Sequence, residues 1–265
     1  MAFRCSFAHV IVRDVMPRSN VQIYHSLEAL SKAVADQFTE FVTEATNQYG
    51  CFTVALTGGN TVKDLYRLLA YPPYVGKIDW SKGRFFWGDE RMVPPDHPES
   101  NYGQSHHLFL RHVDVKSEYI YRIRGELAPL AAVEDYQNRL RENASEGLAW
   151  PRFDLVLLSM GSDGHIASIF PGDPLETEEN APVILTSAEY EGRPALRVSL
   201  TPLVFNSAEE IIFLVSGESK AACLEKVLCG DGDPENYPAL RIHPNKGEVA
   251  WFVDEEAASL LPETY

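Results

Sequence analysis

Asp163 and His165, separated only by Gly164, set a carboxylate beside an imidazole in the run Met160-Gly161-Ser162-Asp163-Gly164-His165. An imidazole titrates near neutrality, and a neighbouring carboxylate orients its ring and stabilises the cation formed when it takes a proton. That makes His165 a candidate general base and Asp163 its partner. Gly164 lets a tight turn hold both side chains near one point without a Cβ clash. A lone histidine more often closes a turn structurally; its place here, just past an apolar run, turns the balance toward chemistry.

Three other clusters have a chemical reading. Gly58-Gly59-Asn60-Thr61 lies between an apolar stretch and a helical pattern. Its backbone N–H groups would face outward at the positive end of a helix dipole, which suits a phosphate or an oxyanion, and Lys63 falls in the first helical turn. Glycine pairs also occur after strands simply to let a helix pack closely, and the GxxxxGK[ST] spacing of a P-loop is absent. Arg91, in Gly88-Asp89-Glu90-Arg91, and Lys220, closing Ser216-Gly217-Glu218-Ser219-Lys220, are candidate anion contacts, the first as a bidentate fork and the second as a point charge. With two acids adjacent, Arg91 reads equally well as a surface ion pair. Asp89 reads either as a partner for ligand hydroxyls or as a support for Arg91. His106 and His107 are sequence neighbours on a helical stretch and do not share a face, so surface or packing roles are expected of them.

The elements that must position these groups follow from periodicity. Leu155 to Leu158 is an apolar run of the kind that forms a strand buried on both faces, and it delivers the Asp163–His165 turn at its end. Phe52–Thr57, Arg84–Trp87, Glu210–Val215 and Val249–Val253 read as further strands, and Val183–Thr186 with Ala195–Ser199 as a hairpin turning at Glu191-Gly192-Arg193. Helical spacing runs from Ser26 to Gly50, through Val62–Leu69, from Asn101 to Arg111, over Val133–Asn143 and along Ala221–Leu228. Asp254 is expected to cap a short closing helix, Glu255–Leu261. The Pro-rich loop Met92–Ser100 is expected to be ordered but irregular, and the acid-rich loop Asp173–Asn180 to lie on the surface. Strand, glycine turn and helix recur after Thr57, Gly161 and Ser216, which predicts an α/β fold: a doubly wound, mostly parallel sheet with helices on both faces and ligands at the carboxyl ends of the strands. Residues 1–20 read as an N-terminal extension, with a short strand at His9–Val12, and residues 21–265 as one domain.

Composition narrows the partners. The 265 residues are 45% apolar and 23% charged, ordinary globular values, and the formal net charge of -15 argues against nucleic acid or an anionic membrane. Cys5, Cys51, Cys223 and Cys229 form no CxxC pair and read as reduced thiols. No apolar run is long enough to span a bilayer and no signal-peptide core precedes the first charges, so the cytoplasm is the expected compartment. A monomer or weak homo-oligomer is expected.

The runs LTGGNTVKDLY, FFWGDERMVPPDHPESNY, FDLVLLSMGSDGHIASIFPG and LVSGESKAA resemble, in order and spacing, the motifs of 6-phosphogluconolactonases, a family whose superfamily also holds glucosamine-6-phosphate deaminases and ribose-5-phosphate isomerases. The resemblance spans the chain from about Val21 to the WFVD region. It implies hydrolysis of 6-phosphoglucono-lactone to 6-phosphogluconate in the pentose phosphate pathway, without a metal or an organic cofactor. It further implies that Gly58, Gly59, Asn60 and Thr61 hold the sugar phosphate and that Gly161 borders the substrate; Asn60 and Val62 stand where the family commonly has Ser and Pro. Deaminases share the DGHIA run but continue it as FNEP, whose Glu completes their catalytic group. Here the continuation is Ser168-Ile169-Phe170-Pro171-Gly172, which favours the lactonase over a deaminase-like sugar-phosphate isomerase. A non-catalytic sugar-phosphate sensor on the same fold is the third reading, and neither a helix-turn-helix domain nor a basic surface accompanies it here.

Overall fold

A computed structural model describes residues 20–173, 180–188, 192–230 and 232–265. The strand expected at 9–12, Cys5, residues 174–179 of the acid-rich loop and Glu191 of the hairpin turn lie outside the described residues. In chain order the regular elements are β1 (Val21–Tyr24), α1 (Leu27–Tyr49), β2 (Phe52–Leu56), α2 (Lys63–Ala70), β3 (Gly83–Trp87), β4 (Asp89–Arg91), α3 (Asn101–Leu108), α4 (Pro129–Glu142), β5 (Leu155–Ser159), β6 (Val183–Ser187), β7 (Leu196–Leu200), α5 (Pro202–Phe205), β8 (Glu210–Val215), α6 (Ala221–Leu228) and β9 (Glu248–Asp254).

Local chemistry accounts for most of these boundaries. Ser26 caps α1, its Oγ accepting from the Ala29 N–H at 3.2 Å, and Gly50 ends the helix in the left-handed conformation with its N–H on Thr46 O. Between the caps, Leu30, Val34, Phe38 and Val42 form the buried stripe. The helix α4 begins a turn earlier than its apolar pattern, because Pro129 occupies the first helical position where its missing N–H costs nothing. The expected closing helix does not form: residues 255–261 make successive turns, Ala258 N to Asp254 O and Leu261 N to Ala258 O.

Six strands form one parallel sheet in the order β1-β9-β8-β5-β2-β3. Successive residues of β3 show that both faces are covered, since neighbours on a strand point to opposite sides. Phe85 joins Phe52, Trp80 and Phe109 on one face, while Phe86 stacks on Tyr121 and meets Phe153 on the other. Among the described strands, antiparallel pairing is confined to a second, three-stranded sheet, β4-β7-β6. Its last two strands in sequence, β6 and β7, are the expected hairpin; β4 was not anticipated, being three polar residues with no alternation. No helix among the described residues is long and apolar enough to cross a membrane.

The decisive outcome for position is that β8, β5, β2 and β3 are spatial neighbours and all parallel. The four glycine-bearing turns that follow them therefore open at one edge of the sheet. From β2 the chain moves outward to the edge strand β3 and then returns past β2 to β5, which makes the β2–β5 boundary a topological switch point, where α/β sheets bind ligands.

At the opposite edge, the same parallel register sets Glu210 directly beside Glu248. Burial, and then the charges of Glu248, Glu209 and Glu44, push the Glu210 carboxyl up to about 7. Between its ordinary range and that value the native chain holds a proton that the unfolded chain has lost. This contribution to stability is complete at low pH and is lost as pH rises through about 7. Glu210→Gln is accordingly expected to raise the thermal unfolding midpoint at about pH 8 and to change it little at about pH 4, a comparison that needs only melting curves of the two proteins at each pH.

Candidate active site

At the end of β5 the chain passes from Met160 into a tight turn in which Gly161 N donates to His165 O at 2.8 Å. Within it, His165 Nδ1 lies 2.5 Å from Asp163 Oδ1, and the same oxygen accepts from the His165 N–H at 3.2 Å. With Nδ1–H donating to the carboxylate, the ring's lone pair is at Nε2. The side chains are partly exposed, 25% for His165 and 40% for Asp163, so the pair is reachable from solvent. Phe170 packs on the imidazole, ring centroids 5.0 Å apart, and the guanidinium of Arg197 lies over the far ring at 5.7 Å.

The glycine that makes room for this pair is Gly161, not Gly164. A Cβ on Gly161 would stand 2.1 Å from His165 Nδ1 and 2.3 Å from Asp163 Oδ1. Gly164 is required for a different reason, its φ of +90°, and a Cβ there would approach Cys223 Sγ to 3.0 Å. Because its N–H is committed to His165 O, Gly161 serves the pair from behind rather than offering a donor to a ligand.

Beside this turn, at the end of β2, Gly58 is buried, Gly59 and Thr61 are partly exposed and Asn60 is exposed. No side chain caps the start of α2, which leaves the positive end of that helix to the glycine turn. Buried phenols fix the ends of β2 and of its neighbour β3: Tyr66, fully buried, donates to Thr57 O at 2.5 Å, and Tyr136 both donates to Trp87 O at 2.7 Å and accepts from Trp87 N at 3.0 Å. Burial drives both phenols far above their ordinary range. Lys63 lines a cleft of about 740 Å³ together with Arg67, Pro95, His97 and Tyr102.

On the other side of β5, Lys220 follows β8 and is half-buried. Burial lowers its ammonium pKa, and the nearby Asp163 carboxylate partly offsets this. Asp163 also acts on Cys223, whose thiol burial pushes up to about 11. The Lys220 turn is anchored by Asp254, which accepts from Gly217 N at 3.0 Å and from the Ser216 hydroxyl, and also from Ala257 N at 2.9 Å in the first of the closing turns.

Arg91 and Asp89 are placed differently. Arg91 Nη1 donates to Glu99 O at 2.6 Å and lies 3.3 Å from Glu99 Oε2, so its ion-pair partner is in the Pro-rich loop and not among the adjacent acids. Its buried Nε has no partner among the described residues. Asp89 is 4% exposed, and both its oxygens have donors: Ser168 Oγ at 2.6 Å on Oδ2 and Asn101 Nδ2 at 3.0 Å on Oδ1. It sits inside the wall of the site. Glu90 is more deeply committed, accepting from the N–H groups of Arg91, Asn101 and Tyr102 and from Ser100 Oγ, with burial still raising its carboxyl to about 7. Hydrogen bonds to buried carboxylates of this kind contribute about 1.5–3 kcal/mol each.

His106 stacks on Tyr102 and His107 contacts Arg111, surface and packing roles as expected. No group of three or more metal-binding side chains occurs among the described residues. Cys51 and Cys223 are free thiols.

Residues 25–251 match the family described as glucosamine-6-phosphate isomerases/6-phosphogluconolactonase. The chain belongs to this family. It is 38% identical over 208 residues to a 6-phosphogluconolactonase of Aggregatibacter actinomycetemcomitans, covering 78% of this chain and 87% of that protein. It is 36% identical over 249 residues to a protein of Oryza sativa subsp. indica named as a probable chloroplastic 6-phosphogluconolactonase, covering 91% of this chain and 76% of that one. The solved structure of 6-phosphogluconolactonase from Trypanosoma brucei superposes with a TM-score of 0.80 at 29% identity, over 92% of this chain and 98% of that chain. The expected parallel α/β fold and the family resemblance both hold.

Sequence reasoning missed three residues of the site. Asn101 carried only a helix-start signal, Ser168 was read only as part of the departure from the deaminase run, and Phe170 as an apolar residue of the same run. Their roles depend on contacts across 12, 79 and 5 residues of chain, of which only the last is local.

Proposed function

We propose that this chain hydrolyses 6-phosphoglucono-δ-lactone to 6-phosphogluconate, with His165 as general base, Asp163 as its orienting partner, and the Gly58–Thr61 turn with Lys220 holding the phosphate. The observation that carries this reading is the Asp163–His165 pair at 2.5 Å, held at the strand edge that also bears the glycine turn and Lys220.

His165 Nε2 takes a proton from water as the water oxygen attacks the lactone carbonyl carbon, and the carbonyl oxygen becomes an oxyanion. The oxyanion collapses, the bond from the carbonyl carbon to the ring oxygen breaks, and the imidazolium returns its proton to that oxygen. The product is a carboxylic acid, ionised at neutral pH, with a free hydroxyl. Asp163 stabilises the imidazolium between the two proton transfers.

Phe170 also bears on the choice of reaction. It occupies the place of the Glu in the FNEP run of deaminases, and its ring lies against His165. A carboxylate there would supply a second acid–base group for an open-chain sugar; an apolar ring supplies none.

The direct test is turnover of freshly made 6-phosphoglucono-δ-lactone, corrected for spontaneous hydrolysis, beside glucosamine 6-phosphate. Lactone turnover without deaminase activity is expected; the reverse pattern would overturn the reading. Inorganic phosphate is expected to compete with substrate, and Lys220→Ala to raise KM about tenfold or more with a smaller change in kcat. An unchanged KM would take Lys220 out of the phosphate site.

A further inference from the structure

The anion turn after β2 and the base turn after β5 are joined by a buried polar chain. The Asn101 side chain fills the space where a Cβ of Gly58 would be, its Oδ1 1.8 Å from that position. Asn101 Nδ2 donates to Asp89 Oδ1 and to Asp89 O, both at 3.0 Å. The other Asp89 oxygen accepts from Ser168 Oγ at 2.6 Å, and Ser168 N donates to Ser199 Oγ at 3.3 Å. Asp89, Asn101, Ser168 and Ser199 are each 4% exposed or less.

Ser168 lies three residues beyond His165, and the intervening Ala167 has φ 48°, a left-handed conformation that a residue with a Cβ adopts only when its surroundings impose it. The bridges of Ile166 to Met160 and to Ile169 bind the base turn to itself. The bond from Ser168 to Asp89 fixes it to something outside.

We propose that Asp89, Asn101 and Ser168 form a strut that sets the distance between the anion-binding turn and the His165 base, so that they are positioning residues selecting a lactone whose phosphate lies at that distance from its carbonyl. The inference rests on the lactonase reading above and assigns Asp89 no contact with substrate. Both ends of a phosphorylated lactone are held, so an error in the spacing of the turns misplaces its carbonyl relative to the base. An unphosphorylated lactone is held at one end only and can shift with the base.

The test is the ratio of kcat/KM for 6-phosphoglucono-δ-lactone to that for glucono-δ-lactone. In Ser168→Ala and in Asp89→Ala the ratio is expected to fall roughly tenfold. Asp89→Asn can still accept from Asn101 through its oxygen and donate to Ser168 through its nitrogen, and it is expected to keep most of the wild-type ratio. Asn101→Ala, which cuts the strut at its other end, takes the place of either alanine variant that does not fold. Equal losses on both substrates would mean a merely structural role and overturn the proposal. So would a collapse in Asp89→Asn as deep as in Asp89→Ala, since the charge itself would then be needed. If the wild-type protein turns over neither lactone, the lactonase reading fails instead, a result distinct from an unchanged ratio in an active variant.

Discussion

Alanine in place of His165 is expected to lower kcat by about 10²- to 10⁴-fold while leaving the unfolding midpoint near that of the wild type. The loss is large because no other imidazole is placed at this edge of the sheet among the described residues with a carboxylate at 2.5 Å on its Nδ1. The stability cost is small for two reasons. The histidine is partly exposed, and the Asp163 carboxylate left behind is 40% exposed, so water can take over its hydrogen bond. Steady-state turnover corrected for spontaneous hydrolysis, with circular dichroism to confirm folding, checks both halves. Near-wild-type turnover in the folded variant would remove His165 from the mechanism.

Gly161→Ala is expected to cost about 10²-fold in kcat although it removes no functional group. Gly161 is not in the left-handed region, so the new methyl acts through space and not through backbone strain. It would stand 2.1 Å from one member of the pair and 2.3 Å from the other, both far inside van der Waals contact. Either the side chains part or the turn moves, and in both cases the imidazole leaves the position that Asp163 and Phe170 define. Turnover is one readout; the downfield proton resonance of the Nδ1–H, expected in the wild type and lost in the variant, is the other. A variant that keeps both would show that the turn can yield without disturbing the pair.

Much of this architecture was legible in the residues. The apolar runs of β2, β3, β5 and β8 marked buried strands because parallel strands between two helical layers are apolar on both faces. The cap at Ser26 and the stop at Gly50 marked α1 because their reasons are local. Asp163 and His165 were legible as a pair because two intervening backbone units nearly force them together. The polar core of the site was not. Asp89 reads like a ligand-facing acid until the fold brings Ser168 and Asn101 onto its two oxygens, and Arg91 looks paired with its neighbours until the Pro-rich loop returns Glu99 to it. Which glycine must be small was misassigned for the same reason. A backbone conformation can be guessed from a turn, but the object occupying the space above a Cα belongs to the folded molecule.

The strand order has a consequence for how this protein comes into being. The glycine turn proposed to hold the phosphate follows an early strand and Lys220 a late one, with the proposed base between them, while β1, the first strand described, pairs among the described residues with β9 alone. A ribosome that has released the chain as far as the His165 turn has made the base but not the cation expected to hold the phosphate. Such long-range pairings form slowly, because the connecting chain must lose its freedom before they return any stability. Under the proposed reading the site is complete only once β8 and the Lys220 turn after it have been made.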